Sequence, residues 1–239
     1  MDYRETEPPE PLRPFVKAAW TLDTGGAAGA WMNHDATPDG CVEIIRRLAG
    51  TSVWGKAQPA AFVAGLVTAP ARLRLSGDSR FVALRVWPWT WNAIARLRSP
   101  LLVDRWADLA DAAPGFDMPP TVREAFDALA ARLRGHCPPG LAAAVLQADS
   151  AADLSRRTGR GPRALQRWFE REIGVPPRTY LRALRFQQTF AGLAASDGSL
   201  AEHAAAHGFA DQAHMAREFR ALAGQPASRA RRRARPPFL

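Results

Sequence analysis

The sequence predicts an α+β fold. It reads as a small N-terminal β sandwich or barrel, a helical linker, and a C-terminal all-α domain of two helix-turn-helix units joined by a long helix. Three observations predict it. Residues 1–90 hold short apolar or alternating runs punctuated by Gly and Pro. Residues 91–135 change to helical spacing. The C-terminal part then follows one plan twice, the copies about fifty residues apart.

Within the β-rich part, Arg72–Leu75 alternates polar and apolar residues. Phe81–Trp87 puts Val82, Leu84 and Val86 on one face of a strand, and Ala61–Val67 is a short apolar run. Turns are expected at Gly25–Gly26, Pro38–Gly40 and Gly77–Asp78. A small antiparallel sandwich or barrel fits this spacing. Further on, Thr121 and Glu124 form a capping box after Pro119–Pro120. Val122, Phe126, Leu129 and Leu133 then make an apolar stripe, which needs either its own domain or a dimer partner to cover it. Cys137–Gly140 is a natural boundary. The expected organisation is 1–95 as a β-rich domain, 96–138 as a helical linker or dimerisation segment, 139–228 as the repeat-bearing domain and 229–239 as a basic tail.

The repeat carries the chemistry. In its first copy Ser150 and Asp153 cap a helix reaching about Thr158, Gly159 makes the turn, and Pro162 opens the next helix. Leu165 and Phe169 share the inner face of that helix; Arg163, Gln166 and Arg167 lie outside or beside it. In the second copy Ser199 and Glu202 form a capping box, Gly208 makes the turn and Asp211 caps the next helix. Met215, Phe219 and Leu222 point inward, while Gln212, His214 and Arg217 remain outside. Arg bonds guanine O6/N7 with two hydrogen bonds and Gln does the same to adenine N6/N7, so these side chains suit a major groove. The connector from Pro177 to about Ala195 reads as one helix with Tyr180, Leu181, Leu184 and Ala191 inward. Such a rod is ~28 Å long at ~1.5 Å per residue, against ~34 Å between successive major grooves on one DNA face. Arg160, Arg171, Arg178, Arg182, Arg185 and Arg220 are the candidate phosphate contacts.

Charge agrees with that reading. The net charge is +9, but residues 1–140 hold 16 Lys+Arg against 15 Asp+Glu, a net +1. Residues 141–239 hold 16 against 8, a net +8. A basic domain attracts phosphate through counterion release, and the Arg-rich tail 229–235 adds to it. No apolar run is long enough to span a membrane. The start is acidic and Pro-rich, unlike a signal peptide, and two cysteines make no disulfide framework; a cytoplasmic location is expected.

These residues resemble the AraC/XylS family of bacterial transcription regulators. The resemblance rests on Gly208–Phe219 followed by Gly224-Gln225-Pro226, and on Leu165–Phe169, Gly174–Tyr180 and Arg185. It covers about residues 140–230. It implies seven helices, two recognition helices, double-stranded DNA as partner, and promoter control, often by activation, which brings in RNA polymerase. The family's base-contact positions fall on Arg163, Gln166, Arg167, Gln212, Ala213, His214 and Arg217. Leu12–Phe15, Trp20, Pro38–Glu43 and Phe62–Gly65 are similar, more loosely, to a sensor-like domain of some members. That implies a cupin-like β domain, with a small-molecule effector and a homodimer as open options. The chain departs from the family at His203 and His207, where aliphatic residues are usual, at Thr158, and at Gly161, where a Ser cap is expected.

Other sites are weaker. His203 and His207 have metal-ligand spacing, but no acidic or sulfur partner is evident nearby; pH sensitivity is a second option, and plain packing is the simplest reading. His34, Asp39, Cys41 and Glu43 lack the spacing of a cupin metal motif, and Pro38–Gly40 explains itself as a turn. Trp87, Trp89 and Trp91, with Trp20, Trp31 and Trp54, line either an effector pocket or the core. No nucleophile–base arrangement, phosphate loop or dinucleotide fingerprint stands out, so no catalytic residue, metal or cofactor is assigned. The expectation is a sequence-specific regulator. The alternatives are an architectural, non-specific DNA binder and, last, an enzyme using Cys41 with an appended DNA-binding domain.

Overall fold

A computed structural model of the chain describes residues 1–195 and 198–229. Its N-terminal part holds two antiparallel sheets. The larger runs in the order β1 (Asp2–Thr6), β2 (Val16–Asp23), β9 (Arg80–Val86), β4 (Val42–Ala49), β7 (Ala61–Ala64) and β10 (Trp106–Asp108). The smaller runs β3 (Trp31–Ala36), β8 (Ala71–Ser76), β5 (Ser52–Trp54) and β6 (Lys56–Ala57). Alternation along β9 explains the layering. Val82, Leu84 and Val86 join Val42, Ile44 and Val63 on one face. Phe81 and Ala83 join Trp20, Leu22, Ile45 and Phe62 on the other, toward the smaller sheet.

The first of those faces is covered by helices. Trp91 and Ile94 from α1 (Pro88–Ile94), Leu109 and Ala112 from α2 (Leu109–Ala112), and Phe126 and Leu129 from α3 (Val122–Arg132) all join its core, as does Leu133. The stripe of α3 is therefore covered by its own chain. Segment 96–138, expected as a linker, contributes Leu102, Leu109, Phe116 and Leu129 to the core under the sheet. Within that segment β10 pairs with β7, an edge strand of three residues too short to show alternation.

The C-terminal part holds α4 (Ala142–Gln147), α5 (Ala151–Thr158), α6 (Pro162–Glu172), α7 (Pro177–Ala195), α8 (Leu200–Ala206) and α9 (Gln212–Ala223). Residues 227–229 begin a further helical turn at the limit of the described residues. The caps form as the sequence requires. Ser150 Oγ accepts from Asp153 N, Ser199 and Glu202 make a reciprocal capping box, and Asp211 accepts from His214 N. Gly159 and Gly224 end α5 and α9 with φ of 64° and 66°, in the left-handed region open to glycine. Gly161 caps α6 without a side-chain hydrogen bond. Thr158 satisfies its hydroxyl by donating to Leu154 O at 2.7 Å, so its polarity is tolerated on an inner position.

The connector α7 has two inner faces. Tyr180, Leu181 and Leu184 pack with Leu154, Leu165 and Phe169 of the first unit. Phe186 and Leu193 pack with Met215, Phe219 and Leu222 of the second. Ala191, expected inward, is exposed, because the stripe moves round the helix when the packing partner changes. His203 is buried and His207 half-buried, with rings nearly parallel at 6.3 Å. They sit over Gly192 of α7, where an added Cβ would lie 2.7 Å from His207 Nε2. The glycine makes room for the two imidazoles.

Burial, reinforced by His203, holds the His207 pKa below its usual value. The unfolded chain therefore binds more protons in the window just below pH 6.5, and stability is complete above that pH and falls as the solution is acidified. The melting temperature of the full chain should drop between pH 7.5 and 5.5, and drop less in His207→Gln. Equal pH profiles would contradict this assignment.

Candidate nucleic-acid interface and the turn that docks it

The two units present their outer faces differently. On α6, Arg163 and Arg167 are exposed, while Gln166 is half-buried and donates to Glu170 Oε1 at 2.5 Å. On α9, Gln212, Ala213 and Arg217 are exposed. His214 is half-buried: its ring stands edge-on to Phe209 at 5.4 Å, and its Nδ1 accepts from Ala210 N at 3.4 Å. Among the phosphate candidates Arg160, Arg171, Arg178 and Arg220 are exposed. Arg182 is engaged within the protein, its Nε donating to Glu218 Oε2 of α9 at 2.5 Å. Arg185 lies over the Phe209 ring at 5.1 Å, and its Nε is buried without a hydrogen-bond partner. These two cations join α7 to the second unit rather than standing free on the surface. Arg231, Arg232, Arg233 and Arg235 of the tail lie outside the described residues.

The first unit is anchored on the β part. At the end of α6, the Glu172 carbonyl accepts from Asn92 Nδ2 at 2.7 Å and Ser99 Oγ at 2.8 Å, and its carboxylate meets Arg98 Nη2 at 2.7 Å. Gly174 sits so close to Pro100 that an added Cβ would fall 2.5 Å from its Cα. Trp87 and Trp89 stack at 5.7 Å and belong to the same core as Trp168 and Phe169, so these tryptophans serve the interface between the parts. Trp91 lies in the core beneath the sheet, and Trp31 is 46% exposed under Arg74.

A second anchor is the turn at residues 37–41. Tyr180 Oη donates to Gly40 O at 2.8 Å, and Gln187 Nε2 donates to Pro38 O at 2.8 Å. Gly40 has φ +77°, and an added Cβ would lie 2.7 Å from Leu184 Cδ2. From the other side, Asp39 Oδ1 accepts from Cys41 N, which is the turn chemistry expected of Pro38–Gly40. Its Oδ2 meets Arg85 Nε at 2.8 Å. Arg85 is 1% exposed and also meets Glu43 Oε1 at 3.0 Å and Glu5 Oε2 at 3.5 Å. Burial alone would lower the Arg85 pKa, but the facing carboxylates of Glu43 and Asp39 hold it well above its usual value. Burial pushes the Glu43 carboxyl up, against the pull of Arg85. Sequence reading missed this cluster, although an arginine at an inner position of an otherwise apolar strand demands a carboxylate partner.

Between the two sheets lies a cavity of about 90 Å³. Trp20, Phe62, Leu75 and Phe81 line it together with Gln58, and Thr37, Asp39 and Cys41 of the docking turn form part of its wall. Trp20 and Trp54 reach it; Trp87, Trp89 and Trp91 do not. Cys41 is buried, and burial raises its thiol pKa well above the ordinary value.

Among known proteins, residues 154–233 match a helix-turn-helix domain family and residues 4–108 match a domain of unknown function, DUF6597. No curated protein matches the chain. Among solved structures, an apo variant of ToxT from Vibrio cholerae strain SCE256 aligns at 10% identity and TM-score 0.48, over 89% of this chain and 96% of that one. Wild-type ToxT from the same strain, bound to an unsaturated fatty acid, aligns at 11% identity and TM-score 0.46, over 84% and 94%. No helix among the described residues is long and apolar enough to cross a membrane. With its two capped helix-turn-helix units behind a DUF6597 domain, the chain carries an AraC-type DNA-binding domain and is a DNA-binding transcription regulator.

Proposed function

We propose that the chain recognises a specific DNA sequence with α6 and α9 in successive major grooves, and that its β part senses a signal and passes it to them. The observation that carries the first half is the matched pair of helices. Pro162 opens one and Asp211 caps the other, both lean on α7, and both turn long polar side chains outward: Arg163 and Arg167 on one, Gln212 and Arg217 on the other. A rod of 19 residues joins the two units, ~28 Å at ~1.5 Å per residue, and this suits a groove spacing of ~34 Å. Gln166, Ala213 and His214 complete the base-reading set. Arg160, Arg171, Arg178 and Arg220 hold phosphates, and Arg182 and Arg185 contribute by fixing α9 on α7.

The second half is supported by the turn at 37–41, which is wall of the cavity on one side and seat of Tyr180 and Gln187 on the other. A molecule that shifts this wall acts directly on the helix joining the two readers. The division proposed is a β part running to about residue 138 and a DNA-binding part over 139–228. Activation adds RNA polymerase as a partner; a homodimer would have to form on a surface other than the stripe of α3. Catalysis by Cys41 finds no support, because a buried thiol with a raised pKa is a poor nucleophile.

Selection of bound duplexes from a random pool should recover an asymmetric site with two elements about one helical turn apart; no enrichment would overturn sequence-specific reading. Arg217→Ala should relax preference at one element at a cost of about 1–3 kcal/mol. Arg178→Ala should weaken all duplexes alike and reduce the salt slope of binding by about one. Titrations of selected and scrambled duplexes at several salt concentrations separate the two effects.

A further inference from the structure

We propose that the cavity between the sheets takes a compact, neutral, mostly apolar molecule carrying a carboxamide or a similar donor–acceptor group, and that Gln58 reads that group. The inference rests on the reading of the β part as a sensor and names the chemistry of its ligand.

Gln58 is 4% exposed and lines the cavity. Its backbone is satisfied, since its N donates to Ser52 O at 3.0 Å and its carbonyl accepts from Arg47 Nη1 at 2.9 Å. Its side chain is not: both Oε1 and Nε2 are buried without a hydrogen-bond partner. A buried donor and a buried acceptor left unmade are costly, and native proteins rarely keep both on one side chain without a use. A ligand that returns one donor and one acceptor matches the pair, as two carboxamides do when they bond edge to edge. Most of the remaining wall is apolar or aromatic, as at Trp20, Phe62, Leu75 and Phe81, with Asp39 and Glu43 among its polar members.

Charge decides against an anion. Asp39 and Glu43 both line the cavity, and no Lys or Arg is among its lining residues. The nearest buried cation, Arg85, is not a lining residue; its Nε and Nη1 meet Asp39, Glu43 and Glu5, and its Nη2 is buried without a partner. His34 is the one lining imidazole, and it already has a partner. A carboxylate entering here would lose its water and face two carboxylates with no Lys or Arg in the wall to meet it. Size sets the other limit. The volume of about 90 Å³ is below the ~150 Å³ of an apolar cavity that takes benzene, so the ligand that fits without rearrangement is a small branched or short-chain molecule.

The test compares isobutyramide with isobutyrate, which share a skeleton and differ in charge, on the full chain. Quenching or enhancement of tryptophan fluorescence reports binding, because Trp20 and Trp54 line the cavity. Isobutyramide should bind at least tenfold more tightly than isobutyrate. Gln58→Leu, checked as folded by circular dichroism, should reduce that preference to less than threefold. Equal binding of the two probes, tighter binding of isobutyrate, a preference unchanged in Gln58→Leu, or binding of neither probe would each overturn the ligand class. The sensor reading is scored separately, by the affinity of the full chain for its selected duplex with and without isobutyramide. Selective amide binding that leaves DNA affinity unchanged would sink the sensor and spare the ligand class. DNA affinity that responds to both probes equally would do the reverse.

Discussion

The buried guanidinium of Arg85 is the constraint on which the rest depends. Lying in β9 at an inner position, it gathers Glu43 from β4, Asp39 from the turn before β4, and Glu5 from β1. Removing one member of such a cluster leaves uncompensated charge in a low-dielectric setting, where breaking a pair costs about 3–5 kcal/mol. The cluster therefore sets more than strand register. By holding Asp39 from within, it fixes the shape of the 37–41 turn, and that shape lets Gly40 meet Tyr180 and Leu184 on the outside.

The consequence is an asymmetric molecule. The first helix-turn-helix unit is fastened to the β part twice, through Gly40 at α7 and through Glu172 at the end of α6. The second unit is held chiefly by α7, with Phe186 against Phe219 at 4.9 Å and Arg182 bonded to Glu218. On the proposed reading, a change in the cavity wall reaches α6 through direct contacts and α9 through the connecting helix. Coupling of this kind needs an element with two arrangements biased from both sides. The turn at 37–41 is the element that touches both the cavity and α7.

Much of this was legible in the sequence, for local physical reasons. The ends of α5, α6, α8 and α9 are written in Ser150, Pro162, Ser199, Asp211 and the glycines, because capping is decided within a few residues. The long connector was legible from its uninterrupted helical pattern. What stayed hidden depends on residues far apart in the chain. Nothing local shows that Asp39 faces Arg85, that Gln58 is stranded beside a cavity, or that Arg182 meets Glu218 and Arg185 lies over Phe209. Ala191 fell on the wrong side because α7 changes packing partner halfway along, which a single periodic stripe does not anticipate.

Amide hydrogen exchange in two glycine variants tests most directly what the contact of Gly40 with α7 does. Gly40→Ala and Gly115→Ala place a side chain at the same φ of +77°, so they share the backbone penalty, about 1–2 kcal/mol for the left-handed region. Only at position 40 does the new methyl meet Leu184; at position 115 nothing lies within 4 Å. Gly40→Ala should speed exchange in α6 and α7 well beyond the change seen in Gly115→Ala, while the central strands β4 and β9 stay protected in both. Identical exchange in α6 and α7 of the two variants would contradict the claim that this turn couples the cavity to the DNA-reading helices.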